Sequence, residues 1–165
     1  MPVDPYASHI AVLAAVIQGT EGPVLECGAG VYSTPLLHAL CAARGRELVT
    51  IETNATWAKE LSSFFIGTHR FVSPQKLADE PMLRCAWDVA FVDNGQFERE
   101  PCIRALAYVA RFIVVHDTEH PELYGYEPLL SKFAHRIDLL SRPWQVKTSV
   151  VSNIASVDWL KGILP

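Results

Sequence analysis

Four apolar runs of this chain end in, or run directly into, an acid. Glu26 lies in Val24-Leu25-Glu26-Cys27, Glu52 follows Leu48-Val49-Thr50-Ile51, Asp93 follows Val89-Ala90-Phe91-Val92, and Asp117 follows Phe112-Ile113-Val114-Val115-His116. Carboxylates so placed can accept a pair of hydrogen bonds from a diol, hold a cation, or hold a histidine that moves a proton. His116-Asp117-Thr118-Glu119-His120 is the densest polar cluster. His116 and His120 are four apart, but Pro121 and the preceding apolar run argue against the helix that a zinc-protease motif needs, and His120 reads as an exposed loop residue. Directly after the first run comes Gly28-Ala29-Gly30. Two glycines at this spacing let the backbone turn sharply and let a ligand approach with no Cβ in the way.

Chemistry of this kind needs elements that bring the acids to one edge, and the chain alternates accordingly. Ser8 caps an apolar helix through Ile17, and Thr20-Glu21-Gly22-Pro23 breaks it. A strand over 24–27 leads through the glycine turn into a helix from Ser33 to Arg44, which Gly45 ends. A strand at 48–52, a helix capped by Asn54 and running to about Ile66, and a short strand at 70–72 follow; residues 74–86 are ambiguous. Strands at 87–93 and 111–117 flank a helix over 101–108. A helix from Tyr126 to Phe133 then precedes two last strands, 137–140 and 148–151. Strands alternating with helices predict a mostly parallel sheet covered on both faces. Only Ser141 to Lys147 separates the final two strands, which suits a hairpin, so one of them runs antiparallel.

Composition narrows the function classes. The chain has 165 residues, half of them hydrophobic, and reads as a single domain spanning 1–165. A net charge of −4 with no Lys/Arg run leaves no basic footprint for nucleic acid. Cys27, Cys41, Cys85 and Cys102 are widely spaced and read as free thiols. The apolar segment near the N-terminus is too short to span a bilayer, so no membrane partner is expected and the protein reads as cytoplasmic.

The pattern Glu26-x-Gly28-x-Gly30-x-x-Ser33 resembles motif I of the class I S-adenosylmethionine-dependent methyltransferases. A dinucleotide oxidoreductase would carry a third glycine where Ser33 stands. The element order is similar to that family's Rossmann-like three-layer α/β sandwich, a mostly parallel seven-stranded sheet with an antiparallel last strand. The resemblance covers about Ser8 to Val151. It implies S-adenosylmethionine as cofactor, bound by Glu26, Gly28, Ala29, Gly30, Ser33, Glu52, Ser73 and Asp93, with Glu52 on the ribose. It implies a small-molecule acceptor, with hydroxyl, nitrogen and carbon acceptors all open. Asp93, His116 and Asp117 are the implied catalytic residues. Some small O-methyltransferases of this type bind a divalent metal through acids at the ends of strands four and five, which implicates Asp93 and Asp117. Catechol-type members carry Asp-Asn where this chain has Asp117-Thr118.

Other departures stand out. The acid that contacts adenine after strand three is replaced by Ser73 and Gln75, and no long insertion after strand five forms a substrate lid. Tyr124 and Tyr126 are either an acceptor wall or packing residues, and Trp57 and Trp87 are expected in the core. A cofactor-binding module without catalysis is the reading from a different class.

Overall fold

Alternation within each strand divides the core in two. On β4 (Trp87–Val92), Val89 and Phe91 face one layer while Ala90 and Val92 face the other. On β5 (Ala110–Val115), Phe112 and Val114 separate from Ile113 and Val115 in the same way. Strands apolar on both faces must be covered on both. In the computed structural model, which describes residues 4–77, 80–95, 97–142 and 144–162, they are.

One layer holds α1 (Ile10–Gln18) and α2 (Ser33–Ala42), which contribute Leu13, Val16, Ile17 and Leu37. The opposite layer holds α4 (Arg99–Leu106), with Cys102, Ile103 and Leu106, and the segment carrying Tyr126, Leu130 and Phe133. The remaining strands are β1 (Val24–Cys27), β2 (Leu48–Ile51), β3 (His69–Val72), β6 (His135–Ser141) and β7 (Val146–Ser152). The seven form one sheet in the order β3-β2-β1-β4-β5-β7-β6. β1 to β5 are parallel, and β7 runs antiparallel between β5 and β6. The fold is thus the three-layer sandwich with the expected antiparallel hairpin finish.

The strand order reverses between β1 and β4, and ligands of open α/β sheets bind beyond the strand ends at such a point. Gly28 makes the junction close. Its φ is +94°, and a Cβ there would lie 2.7 Å from the Asp93 carbonyl oxygen and the Asn94 Cα. Any side chain would push the loop off the end of β4.

Several local expectations change. The helix expected from Asn54 to Ile66 ends early: α3 covers Ala55–Glu60 and a 3-10 turn, Ser62–Phe64, follows. The Asn54 cap is present, its Oδ1 accepting from the Thr56 and Trp57 amides. The expected Tyr126–Phe133 helix is the shorter α6 (Glu127–Leu130), and an unexpected α5 (Pro121–Tyr124) precedes it across Gly125, whose φ is +69°. Ser8 is no helix cap, since its hydroxyl bonds elsewhere and His9 takes the N-cap position. Cys27, Cys41, Cys85 and Cys102 are free thiols. Among the described residues no helix is long and apolar enough to cross a membrane.

Candidate active site

A cavity of about 530 Å³ opens at the junction of β1 and β4. That is within the usual range for small-molecule sites. Its walls come from the turn at Asp4 and Tyr6, the glycine loop 29–33, Trp57, and the ends of β4 and β5 with Arg99 and Tyr124.

On the β1 side the acids are engaged inward. Glu26 is fully buried and points toward the α2 layer, where Thr34 donates to it at 2.9 Å and Thr50 at 2.6 Å. Burial pushes its carboxyl up to about 7, against hydroxyl bonds from Ser33, Thr50 and Thr34 that pull it down. The Thr34 hydroxyl also accepts from the Gly30 amide at 3.0 Å, so Glu26 braces the loop through α2. Ser33 fits its place for the same reason: its Oγ lies 2.8 Å from where a Cβ on Gly30 would sit. A glycine at 33 would remove one bond to Glu26. Glu52 stands just past β2, nearly buried, and accepts from the Ala29 amide at 2.9 Å and the Asn54 amide at 2.6 Å. Its carboxylate therefore clamps the glycine loop to the turn after β2.

The β4–β5 side is a network of charged side chains facing the cavity. Arg99, 5 % exposed, is its hub. Its guanidinium donates to Asp93 Oδ1 at 2.7 Å, to Asp117 Oδ2 at 3.3 Å, and to the backbone oxygens of Asn94 and His116 at 2.7 and 3.0 Å. It also lies 4.1 Å over the Tyr124 ring. His116 is held on both nitrogens, Nδ1 by Asp93 Oδ2 at 3.2 Å and Nε2 by the Ser8 hydroxyl at 2.9 Å. Burial resists charging of His116, but the bond and charge of Asp93, with Asp117, outweigh it and raise its pKa. Asp117 has φ +56°, a left-handed conformation that Asp tolerates better than most residues. It sits beyond β5, beside Arg99. The His9 ring packs tilted against Phe91 and edge-on to His116, at centroid distances of 4.9 and 4.6 Å.

Ala29, Gly30, Ser33, Asp93, His116 and Asp117 are therefore brought to one cavity, as the sequence motifs imply. Glu26, Gly28 and Glu52 stand behind the loop as supports. Ser73 is exposed and outside the cavity walls. Between Asp93 and Asp117, the implied metal pair, lies the Arg99 guanidinium, which pairs with both. Trp57, expected in the core, is 38 % exposed and lines the cavity, whereas Trp87 is buried. The two tyrosines divide. Tyr124 lines the cavity, while Tyr126 is fully buried and donates to the Asp117 carbonyl at 2.6 Å.

Arg99 and His9 are site residues without a sequence signal. Arg99 sits in Glu98-Arg99-Glu100, which reads as a solvated helix start, and His9 opens an apolar helix. The one available hint is that a histidine precedes an otherwise apolar face.

Comparison of the sequence with family models and with curated proteins gave no match. Solved structures do match in fold. Cofactor-bound Rv0187 from MTB is 16% identical with a TM-score of 0.66, covering 94% of this chain and 83% of that one. A TehB-like SAM-dependent methyltransferase from Corynebacterium glutamicum is 11% identical at TM-score 0.60, covering 92% and 89%. A methyltransferase from Podospora anserina, bound to SAH, is 14% identical at TM-score 0.61, covering 88% and 77%. With the strand order β3-β2-β1-β4-β5-β7-β6 and the glycine loop at its switch point, the chain has the fold of the class I S-adenosylmethionine-dependent methyltransferases.

Proposed function

We propose that the protein is an S-adenosylmethionine-dependent methyltransferase acting on a small-molecule hydroxyl. The observation that carries the reading is the cavity at the switch point, walled by the glycine loop on one side and by the Asp93–His116 pair on the other. The antiparallel β7 between β5 and β6 separates this sheet from the 3-2-1-4-5-6 order of dinucleotide-binding folds.

The residues fit such a donor. Gly28 and Gly30 let the loop pack closely, since a Cβ at 28 would strike the Asp93–Asn94 backbone and one at 30 the Ser33 Oγ. Glu52, which braces that loop through the Ala29 and Asn54 amides, is the acceptor offered to a donor's diol. The donor supplies a methyl group on a positively charged sulfur. The chain's task is alignment, because displacement at that carbon needs acceptor and leaving group in line. Asp93 and Asp117 put negative charge near the site, and Arg99 fixes both in place. His116 takes the acceptor's proton, with Asp93 accepting from Nδ1 and stabilising the charged ring while Ser8 meets Nε2 on the other side. Trp57, Tyr6 and Tyr124 give the mouth an aromatic lining.

Incubation with methyl-labelled donor and a panel of small hydroxyl compounds tests this. Label transfer by the wild type and its loss in His116→Gln with donor affinity kept is the expected result. Transfer that survives unchanged in His116→Gln removes the base from this reading.

A further inference from the structure

His9 presents a buried problem. It is 2 % exposed, and neither ring nitrogen has a hydrogen-bond partner. A buried polar group in that condition calls for a ligand, ion or water. One ligand atom each from His9, Asp93 and His116 lie within 4.8 Å of one another, and all three residues line the cavity.

We propose that His9, Asp93 and His116 form a site for a divalent transition-metal ion on the cavity wall. The distances suit it. Two ligands about 2.1 Å from a common ion, at tetrahedral or octahedral angles, lie about 3.0–3.4 Å apart. Asp93 Oδ2 and His116 Nδ1 are 3.2 Å apart. A His9 ring nitrogen stands within 4.8 Å of both. The surrounding bonds divide the remaining atoms cleanly: Asp93 Oδ1 accepts from Arg99 and leaves Oδ2 for the ion. His116 Nε2 faces the Ser8 hydroxyl, the outer partner that fixes a metal-binding imidazole with Nδ1 toward the ion. Burial, then the neighbouring His116, lowers His9 to a pKa of about 4, so its ring is neutral, the form that ligates. Two imidazoles and one carboxylate favour zinc, cobalt, iron or manganese over magnesium or calcium.

This site shares Asp93 with the Asp93–Asp117 gap that Arg99 fills but uses the other carboxylate oxygen. Its free positions face the cavity, where an oxygen or nitrogen of a bound molecule completes the shell. Ion and proton then compete for the same nitrogen of His116, so zinc is expected to suppress transfer that relies on His116 as base. That last consequence rests on the proposed function; the site does not.

Cobalt(II) titrated into the chelator-treated 165-residue protein, without donor or acceptor, tests the site. One ion per chain, visible d–d bands of a low-symmetry site, and displacement by zinc are expected. His9→Phe, which keeps a ring against Phe91, should weaken cobalt at least about tenfold, with unchanged circular dichroism. His120→Ala, at an exposed histidine, should bind as the wild type does. Absence of bands at millimolar cobalt overturns the proposal. Equal binding by wild type and His9→Phe, or loss in His120→Ala, means an adventitious ion only and overturns it as well. Donor binding is measured independently by calorimetry, so failure here leaves the methyltransferase reading intact.

Discussion

The two halves of the cavity spend their acids differently. Beyond β1 and β2, Glu26 and Glu52 accept from hydroxyls and backbone amides, and they tie the glycine loop to α2, β2 and the turn after β2. Beyond β4 and β5, Asp93 and Asp117 are bound to side chains, Arg99 and His116, and keep faces toward the cavity. The first half is a shaped cradle with little charge to offer. The second is a charged network able to move a proton. The difference teaches that equivalent acids at equivalent strand ends take opposite roles, according to whether amides or ionisable side chains meet them.

The sharpest way to break this comparison is at His116. His116→Gln should lower turnover by about 10²–10⁴-fold, the scale of a lost general base, with donor affinity unchanged in calorimetry. A matching loss of donor affinity would merge the two halves into one.

Arg99→Ala should follow in size. It leaves two partly buried carboxylates and two backbone oxygens without their cation. A loss of about 3–5 kcal/mol in urea unfolding is expected. A change under about 1 kcal/mol would show that water replaces the guanidinium freely.

Glu26 carries a pH signature. Its folded pKa, about 7, lies above the ordinary carboxyl value of 4.5, so the folded state holds a proton that the unfolded chain has released. Its contribution is fully present below about 4.5 and is lost as pH rises through 7, by at most about 3 kcal/mol. His9 and His69 act in the opposite direction. Burial first, then a neighbouring histidine, lowers both from 6.5 to about 4, so their contribution is lost as pH falls from 6.5 toward 4. Glu26→Gln should therefore unmask a steeper acid loss and flatten the profile above pH 6.5. An unaltered stability–pH curve would mean that Glu26 does not titrate in this range.

Glu52→Ala sharpens the cradle side with the smallest effect. Donor binding should weaken by about 1.5–3 kcal/mol, the scale of hydrogen bonds to a charged group. Turnover at saturating donor should stay close to wild type. An unchanged dissociation constant would leave Glu52 as a clamp on the loop alone.

Legibility in the sequence follows the same division. The sheet could be read because period-two apolar runs on both faces have few other solutions, and Ser141 to Lys147 is too short for a crossover helix. The glycine loop could be read because its constraint is local: φ at Gly28 and the contact at Gly30 involve residues within, or packed directly on, the turn. The charged network could not. Arg99 becomes a buried hub only because α4 docks its first turn across the ends of β4 and β5. His9 enters the site through Phe91 and His116, more than eighty residues away in the chain. Aromatic character suggests burial for Trp57, but its ring lies at the cavity wall, 38 % exposed.

Calorimetric titration of the purified protein with S-adenosylmethionine tests the central claim most directly. One donor per chain, bound with wild-type affinity and weakened in Glu52→Ala, is the expected result. No heat of binding at millimolar donor, or preferential binding of a nicotinamide dinucleotide, would contradict it.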